Sequence, residues 1–323
     1  MDFGCSLHMV NLGFYEINRN QRECRYFWEE LLRNVATAGF QSIELPFEPY
    51  WKFGGRNGIP FHPYCIENSY GSLKNFRRFL EECGIRKISN LYFDPRFLES
   101  DDLDLYFGAY EHFIFEAIDE AAGLDTEDVI VSVSEEIGYL KSKWKQGESF
   151  EQFCLDYKKR TVAVLKKAVR YAKLNNISLS IKNEFWGLGR GMETAYYLER
   201  IPEIKYAPDL AHLAIADTDI EQILEKYIHR INVVTFSDTA YEDTQHNFKE
   251  PSPEYPAAGE EQMVYCDLGK GRVPLAKHFR QLKQLGYQGK IVCESKHTQD
   301  YCRALLRMKR VTDGLNGGGK WKI

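Results

Sequence analysis

Short apolar segments alternate with longer amphipathic segments along almost the whole chain. Short apolar runs bounded by polar and turn residues are typical of buried strands, whereas apolar residues spaced three and four apart are typical of helices that bury one face. Eight segments fit the strand pattern: Phe3–Met9, Ser42–Pro46, Arg86–Phe93, Val129–Val133, Ile177–Ile181, Ile204–Pro208, Ile231–Ser237 and Lys290–Glu294.

Amphipathic helices are predicted between these strands, most clearly over Tyr26–Ala38, Leu155–Leu174 and Pro274–Leu285. Gly39 follows the first of them, where a glycine commonly ends a helix. Pro274 suits the first turn of the third, because that turn needs no backbone N–H from it. Eight strand–helix units over residues 1–323 predict one domain, a single (β/α)8 TIM barrel.

A doubly wound open sheet is the alternative fold for the same alternation. No G-x-G-x-x-G motif follows an early strand, so a dinucleotide site has little support. Long loops are predicted after strands two and seven, over Pro46–Ser72 and Thr239–Asp267. In a barrel both loops would stand at the carboxyl end of the strands, where they would either cover a ligand or form packing and oligomer contacts.

Composition and charge exclude several classes of function. The chain has 47 acidic against 42 basic residues and a formal charge of −5, which argues against a general binder of nucleic acid or of anionic membranes. No apolar run approaches the ~20 residues that span a bilayer. The N-terminus resembles a strand rather than a signal peptide, and the eight cysteines form no C-x-x-C pair. We therefore expect a cytoplasmic protein with reduced cysteines.

Carboxylates recur where the predicted strands end. In a barrel these strand ends meet around one axis, so their side chains would lie close together. Such a concentration of negative charge requires a divalent cation, a lysine or shared protons to balance it. The acids at these positions are Glu44, Glu135, Glu136, Glu184, Asp209, Asp238 and Glu294.

Several motifs resemble those of the xylose-isomerase-like barrels, the sugar phosphate isomerase/epimerase superfamily. The segment DLAHLAIA, from Asp209 to Ala216, resembles the D-x-x-H-L-A-x-A segment of that family. LGKGRV at 268–273, LKQLGYQG at 282–289 and IVCE at 291–294 resemble its closing unit, and GFQSIEL at 39–45 resembles its second strand. The resemblance covers nearly the whole chain. It implies a (β/α)8 barrel that is an isomerase, epimerase, dehydratase, lyase or DNA-repair nuclease.

The resemblance also implies a divalent metal held by a Glu ending strand five, an Asp ending strand six, a His on strand seven and a Glu ending strand eight. Asp209 and Glu294 match two of these positions. Lys182 stands where the first carboxylate belongs, and Thr235 stands where the histidine belongs.

Three arrangements are consistent with these substitutions. In the first, Lys182 pairs with Asp209 and Glu294 and the site works without a metal cofactor. In the second, Mn²⁺ or Mg²⁺ is retained by a shifted set that consists of Glu184, Asp209, His212 and Glu294. In the third, the protein binds a sugar or a protein partner without chemistry.

The family implies proton transfer next to a carbonyl in a small-molecule carbohydrate substrate, and hence isomerisation, epimerisation or β-elimination. The candidate catalytic residues are Lys182, Glu184, His212 and Glu294. The candidate substrate-binding residues are Glu44, Trp186, Asp238 and His246; a salt bridge or cap is an alternative role for Asp238, and loop packing is one for Trp186.

Two rival functions remain at this stage. A non-catalytic sugar-binding or regulatory subunit of the same descent is the first. For either function, assembly into a homo-oligomer or with a partner subunit that completes the site is a further expectation. A nuclease is the second. The nuclease is disfavoured because the resemblance implies a histidine-rich multi-zinc site for nucleases of this family. The eight histidines here are dispersed, and the net charge is negative.

Overall fold

A computed structural model describes residues 1–10, 24–47, 63–98, 100–145, 147–242, 264–296, 298 and 300–317. Its eight parallel strands follow one another in the order in which the sequence predicts them. They are β1 Asp2–Ser6, β2 Ser42–Phe47, β3 Lys87–Phe93, β4 Asp128–Ser132, β5 Ser178–Lys182, β6 Lys205–Ala207, β7 Val233–Phe236 and β8 Lys290–Cys293.

Helices connect the strands and surround the sheet. Within the described ranges they are α1 Arg25–Thr37, α2 Pro63–Tyr70, α3 Leu73–Glu82, α4 Leu103–Gly123, α5 Ile137–Lys143, α6 Phe150–Leu174, α7 Thr194–Arg200, α8 Leu210–Ile215, α9 Ile220–Tyr227, α10 Leu275–Gln284 and α11 Tyr301–Gly317. Gly39 has a φ of 95° just beyond α1, as the predicted helix stop requires. Pro274 caps α10 and is not part of its first turn.

The sheet closes into a barrel between β6 and β7. Hydrogen-bonded pairing runs continuously from β6 through β5, β4, β3, β2, β1 and β8 to β7. Two isolated bridges join the remaining gap, Tyr206 with Ile231 and Asp209 with Thr235. Pro208 lies between them on the β6 side and has no N–H to donate, while its carbonyl accepts from Thr235 N at 2.8 Å. The closure is therefore a pair of bridges, and the (β/α)8 barrel is confirmed over the doubly wound sheet.

All eight predicted strands are present, and the differences lie at their ends. β1 ends at Ser6, whereas the sequence predicts a strand to Met9, because Leu7–Met9 forms a 3₁₀ turn. The Ser6 hydroxyl accepts from the N–H of His8 at 3.3 Å and caps this turn. The turn brings His8 over the barrel mouth, whereas a continued strand would have carried His8 away from it.

Inside the barrel, an apolar layer underlies the polar mouth. Five side chains from five different strands form it, and all are buried: Tyr92, Ile130, Ala207, Val233 and Val292. A larger apolar core fills the space between the sheet and the helices. The polar groups at the mouth consequently border a layer of buried apolar side chains. The low dielectric constant of that layer strengthens the electrostatic interactions among them.

Most of the predicted loop after strand seven, and much of the one after strand two, lies outside the described residues. Residues 63–70 of the loop after strand two are helical, as α2, so that segment is not all loop. None of the eight cysteines, all of which lie in the described part, is joined in a disulfide. Among the described helices, none has the length and apolar character to cross a membrane.

Glu120 on α4 provides a test of the helix packing. Its side chain is 2% exposed, and neither carboxylate oxygen has a hydrogen-bond partner among the described residues. Burial raises the pKa of Glu120 well above its usual value. The folded state therefore keeps a proton that the unfolded chain releases above the ordinary carboxyl pKa, and stability falls as the pH rises.

We expect Glu120→Met to raise the free energy of unfolding by about 1–3 kcal/mol at pH 8, the cost of an unsatisfied buried polar group. The gain in the free energy of unfolding should shrink toward pH 5, because the unfolded chain then also binds a proton at Glu120 more often. Urea unfolding at the two pH values measures it, with Glu225→Met on the exposed face of α9 as the control. A gain independent of pH would contradict this account.

Candidate active site

Charged side chains from four strands and the turn after β1 meet at the carboxyl end of the barrel. The carboxylates are Glu44 on β2, Glu184 beyond β5, Asp209 beyond β6 and Glu294 beyond β8, and all four are buried. The cationic or potentially cationic groups among them are His8, Lys182, His212 and Lys296. We call these eight residues the mouth cluster. The predicted convergence of acids at one site is thus present in the structure.

Lys182 lies at the bottom of the mouth cluster. Its Nζ is 3.1 Å from Asp209 Oδ2 and 3.5 Å from Glu294 Oε2, and all three side chains are fully enclosed. Burial lowers the pKa of Lys182, but Glu294, Asp209 and Glu184 outweigh it and hold the pKa of Lys182 well above its usual value. The lysine is therefore a permanent ammonium ion.

Glu294 and Glu184 are permanent anions for the complementary reason. Burial raises the pKa of Glu294, yet Lys182 and Lys296 together hold it well below its usual value. Burial likewise raises the pKa of Glu184, and His212, Lys296 and Lys182 overcome that effect and hold its pKa well below its usual value. Neutral pH therefore leaves both carboxylates ionised.

Lys296 is a second cation that the sequence analysis missed. Its Nζ lies 3.9 Å from Glu184 Oε2, 4.0 Å from Asp209 Oδ2 and 3.7 Å from Glu294 Oε2. Its closest polar contact is His212 Nε2 at 3.0 Å. A signal was available, because Lys296 follows Glu294 by two residues and could share its side of the barrel.

A chain of contacts holds His212 in one orientation. The Tyr92 hydroxyl donates to Glu184 Oε1, and Glu184 Oε2 is 2.6 Å from His212 Nδ1. The Phe185 N–H donates to Nδ1 at 3.2 Å. Nε2 lies 3.0 Å from Lys296 Nζ and 3.3 Å from the Tyr265 hydroxyl. Contacts at both ring nitrogens therefore fix the orientation of the imidazole.

His8 joins the mouth cluster on the opposite side. Its Nδ1 is 3.5 Å from both Glu44 Oε1 and Glu294 Oε1. Burial lowers the pKa of His8, and the two glutamates more than reverse this, so that its pKa is raised. Ser6 Oγ and Asn90 Nδ2 donate to Glu44 at 2.7 and 2.6 Å. Glu44 is therefore held in place at the rim of the mouth by these hydrogen bonds.

The residues present do not fit the metal site that the family implies. Lys182 Nζ takes the place of a carboxylate donor and pairs with the two matching ligands, Asp209 and Glu294. Thr235 provides a buried hydroxyl, with no hydrogen-bond partner among the described residues, where an imidazole is expected. In the shifted set, the Lys296 ammonium already lies within 4.0 Å of its three carboxylates. Cation and metal would repel each other at either position.

Within the described ranges, one other group has suitable donors for a metal ion. The ligand atoms of His8, Glu44 and Glu294 lie within 4.8 Å of one another. A proton on His8 shared with the two carboxylates accounts for the same arrangement. Metal analysis of the purified protein distinguishes a bound metal ion from a shared proton.

Two sequence-predicted substrate contacts, Asp238 and Trp186, lie outside the mouth cluster. The Asp238 carboxylate accepts backbone N–H groups of Thr239, Gly269, Gly271 and Val273, at 2.8 to 3.1 Å, and so shapes the turn before α10. This is a cap-like role, and it uses both carboxylate oxygens.

Trp186 is 3% exposed, and its ring lies beneath the Arg96 guanidinium at 4.2 Å. Its stacking surface on that side is therefore occupied, which favours packing over sugar stacking. His246 lies outside the described residues. Glu135, at the end of β4, forms a buried ion pair with Lys143 on α5 rather than joining the cluster.

Comparisons with known proteins agree with this architecture. A family model described as xylose isomerase-like TIM barrel matches residues 32–312. A comparison with curated protein sequences finds no match.

Several solved structures share the fold. A D-allulose 3-epimerase from Methylomonas sp. has a TM-score of 0.66 and 14% identity, over 98% of this chain and 98% of that chain. A probable 3-DHS dehydratase involved in petrobactin synthesis in Bacillus anthracis has a TM-score of 0.66 and 14% identity, over 97% of this chain and 99% of that chain.

A 3-keto-D-glucoside 4-epimerase from E. coli has a TM-score of 0.63 and 14% identity, over 98% of this chain and 99% of that chain. At these identities the structures establish the shared fold and leave the reaction to be argued from the site. Because the family model spans most of the sequence and the barrel is complete, the chain belongs to the xylose isomerase-like TIM barrel family.

Proposed function

We propose that this protein is a carbohydrate isomerase, epimerase or carbon–oxygen lyase that moves a proton next to a carbonyl without a metal cofactor. The family and the strand-end site support proton-transfer chemistry on a sugar or keto sugar. The altered ligand positions support the absence of a metal. Deuterium exchange tests the proton transfer, and chelation tests the absence of a metal.

The position of Lys182 carries the metal-free part of the proposal. Its ammonium is fully enclosed between Asp209 and Glu294, the two positions that match the family's metal ligands. A single fixed positive charge there balances the carboxylates, as a divalent ion would in relatives. Unlike a metal ion it brings no open coordination site, so the chemistry falls to the surrounding side chains.

Glu294 is best suited to accept the substrate proton. It is ionised, and its Oε2 has no hydrogen-bond partner among the described residues. Glu184 is less suited, because its Oε1 accepts from Tyr92 and its Oε2 contacts His212. We assign Glu184 to orienting His212, and His212 to holding Lys296 through Nε2.

Deuterium exchange tests the reaction. The protein is incubated in D₂O with D-allulose, L-ribulose or a 3-keto-D-glucoside, and the carbon-bound protons next to the carbonyl are followed by NMR. We expect exchange with at least one of these sugars by protein stripped with a chelator, and a loss of at least ~100-fold in Glu294→Gln, as for removal of a catalytic base. His112→Gln, an exposed change on α4, is the control that should retain exchange.

Other outcomes separate the rival functions. Sugar binding by calorimetry without exchange would support a non-catalytic binding or regulatory subunit and contradict the enzyme. Exchange that disappears on chelation and returns with Mn²⁺ or Mg²⁺ would contradict the metal-free site. A stoichiometric metal lost in His8→Gln would instead assign the ion to His8, Glu44 and Glu294.

A further inference from the structure

We propose that His8 and Lys296 are the two hydrogen-bond donors that contact the oxygens of the substrate, and that the buried Lys182 is a positioning residue beneath them. The sequence assigned neither His8 nor Lys296. The inference rests on the proposed function and deepens it. It names a pair of cationic hydrogen-bond donors that suit two neighbouring oxygens of an uncharged α-hydroxy ketone.

Exposure separates the mouth cluster into two layers. The His8 side chain is 16% exposed and that of Lys296 is 9% exposed, whereas Lys182, Asp209, His212 and Glu294 are fully enclosed, and Glu294 lies directly against both exposed donors. A ligand that enters from the carboxyl end of the barrel therefore reaches His8 and Lys296 first. Lys182 balances charge from below without touching the ligand.

Lys296 has hydrogen-bonding capacity left for a ligand. Its ammonium carries three N–H donors, and the one polar atom within hydrogen-bond distance in the described structure is His212 Nε2. The three carboxylate oxygens at 3.7 to 4.0 Å attract the charge but lie too far away to accept those protons.

His8 has a comparable free atom. Its Nδ1 faces Glu44 and Glu294, and no residue in the described ranges hydrogen-bonds to its Nε2. The edge of its ring packs against Tyr92, with centroids 4.9 Å apart, which fixes the plane of the imidazole. When both ring nitrogens of His8 carry a proton, Nε2–H is a positioned donor that no described residue uses.

Glu294 links the two donors. Its Oε1 faces His8 and its Oε2 faces Lys296, at 3.5 and 3.7 Å. A hydroxy ketone bound to both donors would place its hydroxyl-bearing carbon, which carries the hydrogen to be removed, over this carboxylate. Four carboxylates face the two lysines and His8 in the described cluster, which leaves no surplus of positive charge for a phosphate or carboxylate group.

The step balances without a further reactant. The C–H bond next to the carbonyl breaks, and its proton passes to Glu294 Oε2. Its electron pair forms the C=C bond of the enediolate, and the carbonyl pair moves onto the oxygen. Lys296 Nζ–H and His8 Nε2–H donate hydrogen bonds to the two oxygens as this charge develops. Return of the proton from Glu294 to the former carbonyl carbon, with transfer of the hydroxyl proton to the former carbonyl oxygen, gives the isomer, and its return to the original carbon from the same face restores the substrate.

Chemical modification tests the two layers without requiring a substrate. Reductive methylation with formaldehyde should modify Lys296 faster than Lys182, and diethyl pyrocarbonate should modify His8 faster than His212, as measured by peptide mass spectrometry on the native protein. Lys182 and His212 are the matched enclosed controls. Equal or reversed rates in either pair would overturn the assignment of the contacting layer.

Kinetics then tests the catalytic role. With the sugar that shows exchange, Lys296→Met and His8→Gln should each lower kcat by ~10²–10³-fold, as for loss of an oxyanion donor. Compared with Lys296→Met, Lys296→Arg should recover part of kcat while KM stays unrestored, because arginine supplies the positive charge with a different geometry of N–H donors. Unchanged kcat in folded Lys296→Met or His8→Gln would overturn the proposal. Should the wild type exchange no sugar, the proposed function fails while the modification order still tests the two layers.

Discussion

Replacing Lys182 with methionine is expected to destabilise the protein by about 3–5 kcal/mol at pH 8, the usual cost of removing one partner of a buried ion pair. Asp209 and Glu294 would then share a closed site with less positive charge. Urea unfolding monitored by circular dichroism measures the loss. Sugar exchange, where the variant remains folded, should fall as well, because the ionised Glu294 would be held less firmly in its position.

The loss of stability in Lys182→Met should become smaller as the pH falls. In the wild type, Lys182 helps to keep the pKa of Glu294 and of Glu184 well below the usual value. That stabilisation is present above the unfolded carboxyl pKa and is lost as the pH falls through the folded one. Without Lys182 the carboxyls take up protons more readily, so the difference between wild type and variant should narrow at pH 5.

Two further variants make this prediction specific. Adding Asp209→Asn to Lys182→Met removes one of the unpaired negative charges and should recover part of the loss. Lys167→Met removes an exposed lysine paired with Glu111, and should change stability by no more than ~0.5 kcal/mol. A Lys182→Met protein as stable as Lys167→Met at pH 8 would show that Lys182 does not balance the site.

Restoring the family's metal ligands should create metal binding. The double variant Lys182→Glu with Thr235→His places a carboxylate and an imidazole beside Asp209 and Glu294, the four-ligand set that the family implies. We expect stoichiometric Mn²⁺ binding by calorimetry, and a thermal midpoint that rises by several degrees with Mn²⁺, since a ligand that binds only the folded state stabilises it.

The controls for this experiment are the wild type and each single variant. The wild type should bind no stoichiometric Mn²⁺, because Lys182 pairs with both matching carboxylates. Lys182→Glu alone should be the least stable when metal is absent, since it replaces a buried cation with another anion. Equal Mn²⁺ binding by wild type and double variant would refute the argument that the lysine excludes the metal.

The strand count illustrates what could be predicted. Each strand is a short apolar run that can be recognised in the sequence alone. Eight repeats of the strand–helix unit then predict the barrel. The end of β1 was less predictable. Val10 and Met9 continue the apolar pattern, but the Ser6 hydroxyl captures the N–H of His8 and turns the chain. One local hydrogen bond thus decided where His8 lies.

The site was predictable only where a motif marks it. Asp209, His212 and Glu294 lie in recognisable segments, and Lys182 was noticeable because it departs from one. Lys296, Tyr92 and His8 lie in no such motif, and their roles depend on contacts with residues 84 to 286 positions away in sequence. Asp238 had the same strand-end signal as the true cluster members, yet a neighbouring turn supplies four N–H donors to it.

The sequence by itself determined the barrel, the family and the presence of a lysine among strand-end acids, because periodicity and motifs are local properties of the chain. Only the tertiary structure decided which charges pair. Ion pairing depends on distances between strand ends that are far apart in sequence, and on how deeply each group is enclosed. The packing around those strand ends places Lys182 beneath the carboxylates and brings His8 and Lys296 to the opening above them.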